Sequence, residues 1–425
     1  MRDVLITIIV FGAIPFILSR PALGVMVWSW LGYMNPHRLT WGFAFNFPFS
    51  MIIGLVTIVS LLISSEKKRI PWMGLTVLLT LFVLWMNVTT YFSLNPDDSF
   101  REWDRTMKIM LMVYITLMVI NTKERMHALV WTIVISLGFF GVKGGIFSIL
   151  SGGNYRVWGP VDSFIQDNNT LALALIMTLP LMRYLHLNSS NRHVRRFLIV
   201  SMILTAVSIL TSQSRGAFLA GMAMATFLGW NSRHRMRMFV IFILMIPVLL
   251  SMMPQKWWDR METIQHYEQD ASAMGRINAW NFAINLALDR PIVGGGYQTF
   301  TRELFTKYAP VPEDFHDAHS IYFEVLAEQG FVGLFLFLSV GIGAFYSAKW
   351  IIKNTTNNKK LNWAYDLASM LQVSVVGYAV GGTFLGLAYY DFYYHIVAML
   401  ILVKAHVMQT LSVENVDTQR CNNQV

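Results

Sequence analysis

The chain has 425 residues, 55% of them hydrophobic and only 13% charged, with a formal net charge of +9. Soluble domains average about 25% charged residues, so a water-soluble globular enzyme is excluded and a lipid solvent is required. Runs that stay apolar throughout, such as MIIGLVTIVSLLI at 51–63, also exclude a β-barrel, whose strands alternate in polarity over about ten residues.

The expectation is an all-α, polytopic transmembrane bundle. At roughly 20 apolar residues per span, the segments 4–18, 22–33, 49–64, 72–92, 106–121, 128–150, 168–187, 197–211, 216–230, 238–252, 320–348, 364–388 and 393–410 give about 12 spans. The first two flank Arg20-Pro21 and form either a tight hairpin or one broken helix, which leaves the side of the N-terminus open. Met1-Arg2-Asp3 runs straight into an apolar stretch without a cleavage site, so no removable signal is expected.

Basic residues recur in every second loop from 65 onward: Lys67-Lys68-Arg69, Lys123 and Arg125, Arg192/Arg195/Arg196, Arg233/Arg235/Arg237, then Lys349/Lys353/Lys359/Lys360. The positive-inside rule makes these loops cytoplasmic. It explains the +9 charge without a nucleic-acid partner. The intervening loops 95–104, 151–167, 212–214 and 253–319 then face outward. The one cysteine, Cys421, lies in the polar tail and says nothing of compartment. Four parts follow: helices over 1–252, an outer loop region over 253–319, helices over 320–410 and a cytoplasmic tail over 411–425.

The 253–319 region carries Trp257, Trp258, Trp280, Tyr297 and Phe300 among mixed charges. Within it Ile277, Trp280, Ile284, Ala287 and Leu288 recur at helical spacing. Ser272 is the expected cap, and Pro291 with Gly294-Gly295-Gly296 the stop. This reads as an amphipathic helix lying on the bundle or at the interface through that stripe. The glycine triplet lacks a strand–loop–helix context and reads as a flexible turn, not a phosphate cradle.

Five places could carry chemistry. Arg215, in TSQSRGAFLAGMAMA, stands at the mouth of an apolar helix, where a guanidinium is costly. It either snorkels to headgroups or forms a polar pocket with Ser212, Gln213 and Ser214. Arg276 opens the amphipathic helix, and its planar fork of donors suits a diphosphate, with helix N-terminal amides adding to an anion site. The bland alternative is a solvated loop arginine, as Arg290 and Arg302 also could be. His319 lies where the outer loop re-enters the membrane and can take a proton near neutral pH. His316 and Asp317 are near enough to orient it or compete with it. The set of His316, His319, Glu313, Asp314 and Asp317 lacks helix-spaced histidines and cysteine, so no metal is expected. Glu324 and Glu328, one turn apart, face inward if buried. Asp167, Asn168 and Asn169 either cap the helix that follows or touch glycan.

These residues resemble the O-antigen ligase and O-antigen polymerase superfamily of bacterial envelope glycan assembly. The likeness rests on SRGAFLA at 214–220, GRINAW at 275–280, RPIVGGGY at 290–297 and HSIYFEVLAEQGFVGL at 319–334. Residues 1–45 look like a subgroup of O-glycosylation ligases that accompany exosortase systems, close to the lipopolysaccharide ligases. The resemblance implies a metal-independent inverting glycosyltransferase without cofactor, in the bacterial inner membrane, with its site facing the periplasm. The implied donor is an undecaprenyl-diphosphate-linked glycan and the implied acceptor a sugar hydroxyl of lipid A-core, with membrane lipids around them. Arg215 and Arg276 would bind the donor diphosphate, and His319 would be the general base. Gln213, His316, Asp317, Asn169 and Tyr297 would support them. An O-antigen polymerase and a protein O-glycosylation ligase are the alternatives within the superfamily. A lipid-linked sugar transporter is the alternative outside it, disfavoured because the spans lack symmetric broken helices.

Overall fold

The computed structural model of the protein describes residues 1–231 and 271–422, and these are helical with connecting loops. The apolar segment 238–252, Arg233, Arg235, Arg237, Trp257 and Trp258 lie outside the described residues. The helices are α1 (Arg2–Ser19), α2 (Pro21–Met34), α3 (Phe49–Ile63), α4 (Gly74–Tyr91), α5 (Pro96–Val119), α6 (Lys123–Leu150) and α7 (Asn168–Asn188). They continue as α8 (Arg192–Thr211), α9 (Arg215–Asn231), α10 (Ala271–Asp289), α11 (Arg302–Tyr308), α12 (Ile321–Thr355), α13 (Asn362–Gly381) and α14 (Asp391–Asn422).

Every described apolar segment of the sequence is a helix. Eight, α1, α4, α6, α7, α8, α12, α13 and α14, are long and apolar enough to cross a bilayer. Among the described residues the expected dozen is not reached by that measure. The helices α2 and α3, of 14 and 15 residues, are shorter than these eight, and α5 spends its first turns on Asp97, Asp98, Arg101, Glu102 and Asp104. The centre of the bundle is α14, buried from Phe392 to Val403, with α13 packed against it and against α7, α9 and α12.

Arg20 is extended (φ −144°, ψ 95°) and Pro21 starts α2, so the first two segments are a helical hairpin. Proline suits that first helical position because its missing N–H would have no partner there. Asp3 Oδ1 accepts from Gly42 N at 3.0 Å and Ala44 N at 3.1 Å. The start of α1 and the end of α2 therefore share one end of the bundle. That end also holds the Arg38–Asp162 pair at 3.3 Å and the bond from Asn168 Nδ2 to Ser212 O at 2.7 Å. The basic loops gather at the other end, where Arg125 grips Glu66 through both nitrogens at 2.7 and 2.9 Å. Asn188 bonds Asp366 at 3.1 Å there, and Lys360 pairs with Glu414 at 3.5 Å.

α10 lies against α12, but through only part of the stripe the sequence suggests, of which Trp280 stacks on Phe323 and Ala287 is buried. It buries Ala279, Phe282, Ala283 and Leu286 in a small core with Phe305, Tyr308 and Ala327. Ile277, Ile284 and Leu288 are exposed instead. Alanines weigh little in a hydrophobic pattern yet allow close packing, so the true contact face is the less apolar-looking one. Ser272 lies inside α10, which already includes Ala271. The Gly294–Gly296 run is buried and fixed, not flexible: Gly295 N donates to Ala327 O at 2.8 Å and Gly296 N to Glu328 O at 2.9 Å. The partner helix α12 breaks there at Gly330, with φ 69° and ψ −173°. A side chain at Gly330 would be strained by that φ and would strike Ile292 O.

Candidate active site

At the end of the bundle opposite the basic loops, Asn169, Gln213, Ser214, Arg215, Gly216, Arg276, Phe384 and Leu385 line one pocket of about 300 Å³, counted to its open mouth. Five of the residues singled out in the sequence thus meet there: Arg215, Arg276, Gln213, Ser214 and Asn169.

Local folding explains each position. Asp167 caps α7, its Oδ1 accepting from Asn169 N at 2.5 Å and Thr170 N at 3.2 Å, which contributes about 1 kcal/mol. The cap is therefore Asp167, and Asn169 is left to line the pocket. Asn168 ties α7 to the α8–α9 turn by its bond to Ser212 O. In that turn Ser214 Oγ accepts from Ala217 N at 3.2 Å, capping α9 with Arg215 as its first residue. Gln213, buried, has φ 58°. A left-handed residue other than glycine costs about 1–2 kcal/mol, a strain that points toward function at this position.

Arg276, half-buried, follows Gly275 in the first turns of α10. A Cβ at Gly275 would collide with the His316 ring, so glycine is needed for that ring to lie on α10. His316 Nε2 also meets Asp314 Oδ1 at 2.9 Å. α10 clamps the chain on either side of His316. Asn278 bonds Val311 O at 2.7 Å, Asp314 O at 3.0 Å and Val311 N at 3.0 Å. Trp280 Nε1 donates to Ala318 O at 2.8 Å, and its ring stacks on Phe323 at 4.8 Å.

His319 follows Ala318 and is also left-handed, with φ 43°. It does not line the pocket but is close enough to feel the Arg276 charge. Burial first, and then Arg276, hold its pKa below the ordinary histidine value, with Asp317 and Asp167 pulling the other way. It is therefore neutral near pH 7 and able to accept a proton. Asp317 is exposed.

Tyr297 is not at the pocket. It is fully buried, its hydroxyl on Met86 Sδ at 2.9 Å and its ring edge-on to Tyr389 at 4.8 Å. Glu328 is buried too, accepting from Gln298 N at 2.8 Å and Tyr389 O–H at 2.7 Å, and Glu324 accepts from Ala388 N at 3.1 Å. Glu328 binds the 290–300 segment to the bundle. Arg290 does the same, reaching Gly294 O at 2.6 Å and Phe92 O. Three contributors were not legible in the sequence: Phe384, Leu385 and Arg156. Phe384 and Leu385 form the apolar side of the pocket. Arg156 reaches Gln213 from the 151–167 loop, where apolar residues such as Val157 and Ile165, both buried, hint that the loop is anchored.

Among the described residues no three His, Cys, Asp or Glu side chains converge as a metal-binding set, and no carboxylate lines the pocket. Two guanidiniums, two carboxamides and a hydroxyl around one space are a set of donors that can hold an anion beside a neutral histidine.

Residues 200–338 match a protein family described as O-Antigen ligase. Residues 1–190 match one described only as a family of unknown function (DUF5935). No curated protein matches the chain. The first match contains Arg215, Arg276 and His319, and it supports the family assignment drawn from the motifs.

Proposed function

Because this multi-pass membrane chain carries an O-antigen ligase domain, we propose that it transfers a glycan en bloc from undecaprenyl diphosphate to a sugar hydroxyl of lipid A-core on the periplasmic face. The observation that carries this reading is the meeting of Arg215 and Arg276 at one pocket with His319 beside Arg276. In the transfer His319 takes the proton from the acceptor hydroxyl as its oxygen attacks the anomeric carbon. The bond from that carbon to the diphosphate oxygen breaks, its electron pair leaves with undecaprenyl diphosphate, and the configuration inverts. Charge grows on the leaving diphosphate, and fixed guanidinium donors stabilise it where it develops. A positioned base contributes about 10²–10⁴-fold.

The test is reconstitution of the full-length protein with lipid-linked glycan and lipid A-core. Arg215→Lys keeps the charge but loses the planar fork, and donor KM should rise by about tenfold. Transfer should survive a chelator. Donor use unchanged in Arg215→Lys removes the bidentate contact, and turnover abolished by EDTA returns a metal to the mechanism. Offering a second lipid-linked repeat unit, or a protein acceptor, separates the ligase from the polymerase and protein-glycosylating alternatives.

A further inference from the structure

Arg156, in the loop between α6 and α7, donates from Nε to Gln213 Oε1 at 3.4 Å. The loop that carries it is built, not slack. Gly159 N donates to Gln166 O at 3.0 Å, Asp162 N to Gln166 Oε1 at 2.9 Å, and Ser163 Oγ to Pro160 O at 2.7 Å. Asp162 is paired with Arg38. The residue after Arg156, Val157, is buried against α6 at Gly144. At its far end the same loop passes into the Asp167 cap and Asn169 at the pocket. Arg156 is thus held at a fixed distance from the pocket wall, although its own side chain stands at the surface.

The bond also decides how Gln213 faces the pocket. A guanidinium has donors only, while a carboxamide has an oxygen at one end and an NH₂ at the other. With its oxygen on Arg156, Gln213 has its NH₂ left for the space it lines with Arg215 and Arg276. The left-handed backbone at Gln213 is the cost of placing this side chain there. We propose that Arg156 is a positioning residue of the anion pocket: it fixes the Gln213 amide so that the NH₂ donates to the bound diphosphate, and so brings the 151–167 loop into donor recognition. Arg156 lies outside the ligase domain and Gln213 inside it, so the two parts of the chain build the site jointly. The inference rests on the diphosphate reading of the pocket.

The experiment measures binding of undecaprenyl diphosphate, without glycan, to the full-length protein in nanodiscs. Arg156→Ala and Gln213→Ala should each weaken binding about five- to tenfold, the scale of one hydrogen bond to a charged group. The double variant should be no weaker than the weaker single, because the two act through one contact. Arg156→Lys, which still donates, should recover at least half of the lost affinity on a logarithmic scale. Thermal unfolding is recorded for each variant, and Arg156→Met, which keeps the stem without the donor, replaces the alanine variant if that one does not fold. Additive losses in the double variant would mean that Arg156 touches the ligand by itself, and unchanged binding in Arg156→Ala would mean that it has no role. Either result overturns the proposal. Arg215→Gln is the separate control. If it leaves binding unchanged, the pocket is not the diphosphate site and the underlying reading falls first.

Discussion

A histidine that must accept a proton works only in its neutral form, and the charged neighbours of His319 act on that form in opposite directions. Burial and the Arg276 charge lower its pKa below the usual 6.5, and Asp317 and Asp167 offset part of the shift. The acid limb of kcat/KM should therefore have its midpoint below pH 6.5, with activity falling as pH drops through the His319 pKa. Removing the opposing carboxylate in Asp317→Asn should move the limb further down. A limb that moves up in that variant would show that another group sets it. His319→Ala should lose at least about 10²-fold in kcat while unfolding at the same temperature. The three ionisable positions Arg215, Arg276 and His319 were legible because such groups stand out against apolar surroundings. Arg156 was not. Nothing in its local spacing separates it from any solvated loop arginine, and its partner Gln213 lies 57 positions away.

The element that holds the segment leading to His319 is α10. Asn278, buried on its inner face, holds the 311–314 segment by three bonds, and Trp280 holds Ala318. Asn278→Ala removes these bonds and leaves the Val311 amide and two carbonyls to find other partners, at about 1–3 kcal/mol. Hydrogen exchange should rise across 309–319 while the bundle core stays protected. Transfer should fall, and binding of undecaprenyl diphosphate should change by less than twofold. Exchange that rises equally in α7 and α14 would show Asn278 to be a general stabiliser. The existence and extent of α10 could be read from the sequence, but its orientation could not. Ile277, Ile284 and Leu288 carry the pattern's weight and are exposed, while Ala279 and Ala283 make the contact. Which face packs depended on Phe305, Tyr308 and Ala327, which are remote in sequence. Tyr297 was misplaced for a related reason: aromatic residues of an outer loop look available to ligand until tertiary packing buries them.

At the scale of the molecule, polar loops sort to two ends, basic loops at one and the candidate site at the other. In a background with Cys421→Ser, cysteines introduced by Arg2→Cys and Val161→Cys should react with a membrane-impermeant maleimide applied to spheroplasts. Lys360→Cys should not react until the membrane is opened. Labelling of Lys360→Cys in intact spheroplasts would invert the topology. Alternation of basic loops made this sorting visible from the sequence, because it follows from insertion energetics and not from packing. The side of the N-terminus was not visible, since it turned on whether Arg20-Pro21 breaks a helix or reverses it, and only the Asp3 contacts with Gly42 and Ala44 decide that.

The α8–α9 turn is three residues long, from Ser212 to Ser214, and both flanking helices are committed to the bundle. Each residue of an α-helix advances about 100° around the axis, so a single insertion or deletion there would swing Arg215 out of the pocket or drag Gln213 from Arg156. Loops at the basic end are tied by pairs such as Arg125–Glu66 and Lys360–Glu414 but place no residue at the pocket. Length variation among descendants of this chain should therefore accumulate at 64–73 and 356–361, while the turn before Arg215 keeps its count even where its letters change.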